Sequence, residues 1–244
     1  MSAEAIIFLN HNFEIIRKKK RRALSVKLRP HVNQVLANFS ISNEQIQNFL
    51  LSKKTWLEKN LKVIENQKLK SPTPEFTEGS LFPFFGELKY FSFADTKLKK
   101  ITFTTEDGFL VCHRPLAMAN STEAKARLKM KLKEYYKSIA LPYLQKRAQE
   151  LARIMDLYPA DVKIQTARTR WGSCTSQKNI LLNWKLIVFP KVLIDYVIIH
   201  ELCHLQHMNH SGKFWQLVEW HCPNYKEIES EIKNQALWTY FLEK

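Results

Sequence analysis

The residues whose types and spacing most plainly suit chemistry lie in one segment: His200-Glu201-Leu202-Cys203-His204-Leu205-Gln206-His207-Met208-Asn209-His210. On a helix, residues four apart sit on one face a turn from each other, so His200 and His204 can offer two imidazoles to a single ion. Zinc suits such ligands best, because it accepts neutral imidazole nitrogens in a tetrahedral site. Glu201 neighbours the first histidine and points beside the ion rather than at it. That position suits a base that takes a proton from metal-activated water. His210 lies beyond the expected end of the helix, where a chain turning back brings a third nitrogen and leaves a fourth position for water and substrate.

The HExxHxxxxxH spacing resembles the metzincin signature, except that His207 stands where metzincins have glycine. Glycine eases a left-handed turn, so the turn here must be made in another way. His207 itself and Glu219, on the next expected helix, are the alternative third ligands. An accidental cluster of surface histidines is the competing reading. Four histidines in this short stretch around one glutamate have no packing rationale, which favours the metal site. Cys203 faces away from both helical histidines and reads as a small buried residue, and Cys174 reads as structural. Cys112, Cys174, Cys203 and Cys222 form no CxxC pair, so neither a disulfide framework nor a zinc ribbon is indicated.

The elements that must position these residues follow from periodicity. A helix that begins at Pro190 and carries Val192, Tyr196, Val197 and Ile199 is expected to lead into the histidine segment. Ser211 can cap a further helix that Pro223 ends, and Tyr225 to Leu242 reads as a C-terminal helix. Ahead of the site, a long basic helix is expected from Thr122 through Leu151, then a strand at Val162–Thr166. A turn is expected at Arg170-Trp171-Gly172-Ser173-Cys174, and a second strand at Ile180–Val188. Nearer the N-terminus, strands are expected at Ala5–Leu9, Phe13–Ile16, Ala23–Leu28 and Val32–Phe39. Ser42 and Gln45 form a capping box that opens one helix carrying Ile46, Phe49, Leu50, Leu57 and Leu61. Pro72 and Pro74 lie in a polar linker. Short β-like runs follow at Leu81–Phe85, Leu88–Phe93, Ile101–Thr104 and Phe109–Cys112, with Asp107-Gly108 as a turn. The expected organisation is a β-rich N-terminal region with one helix over residues 1–118 and a catalytic domain over 119–244.

Composition is that of a folded globular protein: of 244 residues, 45% are hydrophobic and 12% aromatic. Met1 to Phe13 lacks a basic stretch ahead of a long apolar run, so no signal peptide is read there. Apolar stretches such as Tyr196–Ile199 are too short to span a bilayer, and a cytoplasmic location is the default expectation. The net charge of +15 is less ordinary. It includes the unbroken run Arg17-Lys18-Lys19-Lys20-Arg21-Arg22, and Val162–Ile194 holds six basic and no acidic residues. Such a field suits nucleic acid or another polyanion, although a solvated face accounts for it equally well.

Arg170-Trp171-Gly172-Ser173-Cys174, Leu182-Asn183-Trp184, Asp195-Tyr196-Val197, the HExxH segment, Asn209-His210-Ser211 and Phe214-Trp215 together resemble the YgjP-like metallopeptidases, relatives of the SprT-like and WLM-type proteases. Fainter likeness extends to the basic N-terminal run and to the Ser42–Leu61 helix with Trp56. The resemblance implies an α+β, zincin-like catalytic domain with zinc on His200, His204 and His210 and Glu201 as base. It also implies that the strand Ile180–Leu186 is the sheet edge above the active-site helix, with Ile180, Leu182 and Trp184 against an extended substrate. Trp171, Trp184, Phe214 and Trp215 are expected in the core, and Arg170, Tyr225 and His221 are candidates for stabilising the oxyanion. The expected activity is zinc-dependent endoproteolysis of protein or peptide substrates. The alternatives are a DNA-associated protease of the SprT-like kind, recruited through its basic surface, and a zinc-binding scaffold without turnover.

Overall fold

A computed structural model describes residues 4–28, 33–70, 74–97, 99–116, 118, 122–167 and 170–242. Val32 and Pro72 lie outside the described residues. The chain divides into two compact units, Met1–Ser71 and Pro72–Lys244, with the division at the proline-bearing linker.

In the first unit, strands β1 (Ala5–Phe8), β2 (His11–Arg17), β3 (Ser25–Lys27) and β4 (Asn33–Ala37) form one sheet in the order β1-β2-β4-β3. Alternation turns Phe13 and Ile15 of β2, and Val35 and Ala37 of β4, to one face. There they meet Ile46, Leu50, Leu57 and Leu61 in a small core. The capping box at Ser42 forms as expected. The single expected helix is instead two, α1 (Asn43–Ser52) and α2 (Lys54–Lys70). The Lys53 N–H bonds the carbonyls of Leu50 and Leu51, which closes the first helix, and its own carbonyl accepts from Leu57 N–H at 2.8 Å to start the second. No glycine or proline marks this break.

The basic run is only partly a free cationic surface. Arg17 binds both carboxylate oxygens of Glu4 at 2.8 and 2.9 Å and the Ile41 carbonyl at 2.6 Å. The resulting ion pair holds the Glu4 carboxyl below its ordinary range. Arg21 bonds the Ala23 carbonyl at 2.9 Å. Lys18, Lys19, Lys20 and Arg22 remain exposed. The fold therefore employs two of the residues on which nucleic-acid binding was expected to rest.

The second unit begins with a sheet of β5 (Leu81–Phe84), β6 (Glu87–Thr96), β7 (Thr102–Glu106) and β8 (Phe109–Pro115), in the order β5-β6-β8-β7. Its apolar face packs on the long helix α3 (Thr122–Met155). Phe82, Phe91 and Leu110 share one core with Leu128, Leu132 and Tyr136, and Tyr136 Oη donates to the Pro83 carbonyl at 2.9 Å. The boundary expected near residue 118 thus falls inside this unit, because the sheet and helix α3 bury each other's apolar faces.

The β5–β6 turn has a direct part in placing the site. Phe85 and Gly86 have φ of 50° and 81°, the pattern of a tight hairpin turn. Their N–H groups donate to the Ile187 and Val188 carbonyls at 2.7 and 3.0 Å. A side chain at Gly86 would lie 2.6 Å from Pro190, the residue that precedes helix α4 (Lys191–Cys203).

Strands β9 (Asp161–Gln165), β10 (Gly172–Cys174) and β11 (Asn179–Asn183) form a second sheet in the order β10-β11-β9. The expected strand at Ile180–Val188 ends at Asn183, and Trp184–Val188 is a 3-10 helix. Helices α5 (Gly212–His221) and α6 (Tyr225–Gln235) follow, then a 3-10 segment at Ala236–Leu242 where the C-terminal helix was expected to continue.

Candidate metal centre

Helix α4 is apolar for most of its circumference, as befits an element buried on several sides. Leu193, Ile194, Val197, Ile198 and Leu202 are all in the core, and Cys203 is fully buried beside them. From α3, Arg147 forks onto Asp195 with bonds of 2.7 and 2.9 Å, which fixes α4 one turn ahead of the histidines. The helix ends at Cys203, with His204 as its C-terminal cap.

The turn after it is made without any residue of positive φ. Leu205 N–H donates to Leu202 O at 2.9 Å, and the Gln206 and His207 N–H groups both donate to Cys203 O. His207 acts through its backbone, its carbonyl accepting from His204 Nδ1 at 3.0 Å. That bond fixes the tautomer of His204 and leaves its Nε2 lone pair available.

The chain then returns His210 to the helix. Ligand atoms of His200, His204 and His210 all lie within 4.8 Å of one another, and His200 Nε2 faces His210 Nε2 at 3.0 Å. Glu219 is exposed on α5, and neither it nor the His207 side chain joins this group among the described residues. Burial favours the neutral form of the two helical rings: the pKa of His200 falls to about 3, with the two neighbouring histidines adding to the effect, and that of His204 is lowered as well. Neutral imidazoles are the form that binds a cation.

Phe214 closes the site from below. It is fully buried, stacks on His204 at 4.5 Å and meets His200 and His210 edge-on at 5.0 and 4.8 Å. Trp215 stacks on His210 at 5.6 Å and on Tyr225 at 5.2 Å. The sequence placed Phe214 in the core but held no sign that one ring touches all three histidines. Phe214→Ala should lower unfolding stability by about 3–5 kcal/mol, the usual cost of so large a cavity. Because the lost ring sets the histidine rotamers, metal affinity should fall as well. Chemical denaturation and metal titration measure the two losses. Unchanged affinity in a folded variant would leave Phe214 a packing residue only.

Glu201 is 6% exposed, and its Oε2 is buried with no hydrogen-bond partner. Loss of hydration pushes its pKa up to about 8, against an opposing pull from Arg170. Gly172 makes room for it. A Cβ at that position would stand 2.6 Å from Glu201 Cγ and Oε1. Asn183, 1% exposed, holds the approach to Gly172: its Nδ2 donates to the Ala167 and Arg170 carbonyls at 2.9 and 3.1 Å.

The expected edge strand is corrected by this arrangement. Gly172–Cys174, read as a turn, is a strand that pairs with the free side of β11, so β11 is central. Ile180 and Leu182 are fully buried and Trp184 is 2% exposed, out of reach of a substrate. The outer strand beside Glu201 is β10. A cleft of about 310 Å³ opens there, with Arg170, Trp171 and Tyr196 among its walls. Of the oxyanion candidates, Arg170 lines this cleft, whereas Tyr225 is buried in its stack with Trp215 and His221 sits half-buried at the end of α5.

No curated protein matches the chain. Among solved structures, the metallopeptidase zymogen abylysin of Pyrococcus abyssi is 25% identical over 36% of this chain and 90% of its own, with a TM-score of 0.34. The metallopeptidase zymogen jannalysin of Methanocaldococcus jannaschii is 22% identical over 38% of this chain and 96% of its own, with a TM-score of 0.35. The match that extends through most of the chain is to the family described as YgjP-like, metallopeptidase domain, over residues 20–235. That span takes in the histidine helix, its return and the strand beside it, and the protein belongs to the YgjP-like metallopeptidase family.

Proposed function

We propose that this metallopeptidase is a zinc-dependent endopeptidase in which His200, His204 and His210 hold the ion and Glu201 is the general base. The observation that carries the proposal is the meeting of three imidazoles beside a buried carboxyl group, one oxygen of which has no hydrogen-bond partner. Three nitrogen donors with a fourth position open fit a catalytic zinc. Zinc bound there would polarise the scissile carbonyl and make water acidic enough to lose a proton near neutral pH.

The chain's own residues supply the rest. Glu201 takes the proton of the attacking water and delivers it to the leaving amine, a relay that its raised pKa suits. Gly172 leaves the carboxylate free to reach both partners. Arg170, at the cleft wall, places positive charge near the developing oxyanion. An extended peptide pairs its backbone with the outer edge of β10, which accepts any sequence because the bonds are made by main chain.

Purified protein should contain about one zinc per chain and cut an unfolded protein at internal bonds. Removing the metal with a chelator should abolish cutting, and added zinc should restore it. Cleavage that survives a metal-free preparation sinks the zinc mechanism. Zinc retained with no hydrolysis of any protein tested identifies the scaffold reading as correct instead.

A further inference from the structure

Away from the histidines, the second unit carries a groove of about 600 Å³ between the chain entering β7 and the first half of α3. Its floor is apolar. Ile101 and Phe103 are 6% and 5% exposed, while Met130 stands 51% exposed beside them. Its rim is basic: Lys99 and Lys100 rise from the loop before β7, and Arg127 and Lys131 stand one turn apart on α3. The only carboxylate in the lining near α3 is Glu134, and Lys131 Nζ holds it at 2.7 Å. Lys99, Lys100 and Arg127 have no ion pair among the described residues. The two walls are tied together by the bond between Thr105 Oγ1 and Tyr135 Oη at 3.0 Å.

Three cations without an ion pair repel one another around the groove, and Met130 leaves apolar surface exposed beside them. A ligand that is anionic and apolar at once relieves both. We propose that this groove docks an acidic polypeptide segment bearing apolar side chains. Carboxylates of the segment meet Lys99, Lys100 and Arg127, and an aliphatic or aromatic side chain covers Met130. Nucleic acid fits less well. Bases bind through stacking on exposed aromatic faces, and Phe103 presents almost none of its ring. The site goes beyond the hydrolytic reading, and it is tested by binding alone, so its failure leaves that reading untouched.

The probe is a short labelled peptide rich in Asp and Glu with Leu and Phe interspersed, titrated by anisotropy against the zinc-loaded full chain. Binding should saturate and weaken as salt rises. Lys99→Glu combined with Arg127→Glu should weaken it about tenfold or more, with zinc content and thermal unfolding unchanged because both side chains are exposed. The neutral pair Lys100→Gln with Arg127→Gln should give a smaller loss in the same direction. Replacing the Leu and Phe of the peptide by Ser should cost several-fold. Binding of the wild-type strength in the charge-reversed protein overturns the proposal. So does equal affinity for the serine-substituted peptide, or tighter, displacing binding by a single-stranded oligonucleotide of equal charge.

Discussion

Glu201→Gln should keep its zinc and lose peptide hydrolysis by about two orders of magnitude or more, roughly 3 kcal/mol of transition-state stabilisation. The amide matches the carboxylate in size, so it still fits the space that Gly172 leaves and disturbs neither the turn at His204–His210 nor the ring of Phe214. It cannot accept a proton. The same substitution carries a second, opposite expectation. Glu201 is 6% exposed with one oxygen unpaired, and a carboxyl whose pKa burial raises to about 8 costs the fold at neutral pH. A neutral amide removes that cost, so the variant's unfolding temperature should equal or exceed that of the parent protein. Loss of activity with undiminished stability and full metal content is a pattern that damage to the fold cannot imitate. Hydrolysis at the parental rate would show that another group is the base, and zinc loss would show that Glu201 shapes the metal site itself.

What was legible in the sequence was local. The i, i+4 relation of His200 and His204 needs only a helix, and the apolar run before it declares one. The capping box at Ser42, the Asp107-Gly108 turn and the linker at Pro72 and Pro74 are likewise written in neighbouring residues, and the division of the chain at residues 71 and 72 falls on that linker. The features that escaped depend on partners distant in the chain. Gly172-Ser173-Cys174 has no β-branched or aromatic residue, so nothing in its composition marks a strand, and it is one only because Leu182, Leu181 and Ile180 lie opposite. Once it takes that side of the sheet, the strand expected at the edge becomes central, and Trp184 leaves the strand for a 3-10 turn. There its indole donates to Thr166 Oγ1 at 3.1 Å. The break at Lys53 escaped for a related reason. The stripe Ile46, Leu50, Leu57, Leu61 keeps facing one core across it, so periodicity alone cannot reveal that the helix has ended and begun again.

His210→Ala should lose most of the zinc, while His207→Ala and Glu219→Ala should keep it. The three residues were rivals for one role on sequence alone, and their placement favours His210. His210 Nε2 stands 3.0 Å from His200 Nε2. His207 contributes a carbonyl, which its alanine variant retains, to orient His204. Glu219 is exposed on α5 and outside the group. Removing one of three nitrogen ligands leaves two, too few to hold a catalytic zinc against exchange, so metal content after dialysis should drop from about one per chain to a small fraction. The fold should tolerate the change better than Phe214→Ala does, because His210 is exposed and its loss opens no cavity. Circular dichroism of the metal-free variant should therefore remain that of the parent protein. His200→Ala and His204→Ala should lose zinc to the same degree but with some loss of stability, since both rings pack on Phe214 within the buried part of the site. Full zinc content in His210→Ala, with loss in Glu219→Ala or His207→Ala, would assign the third ligand elsewhere and require the return after His204 to take a different path when metal is bound.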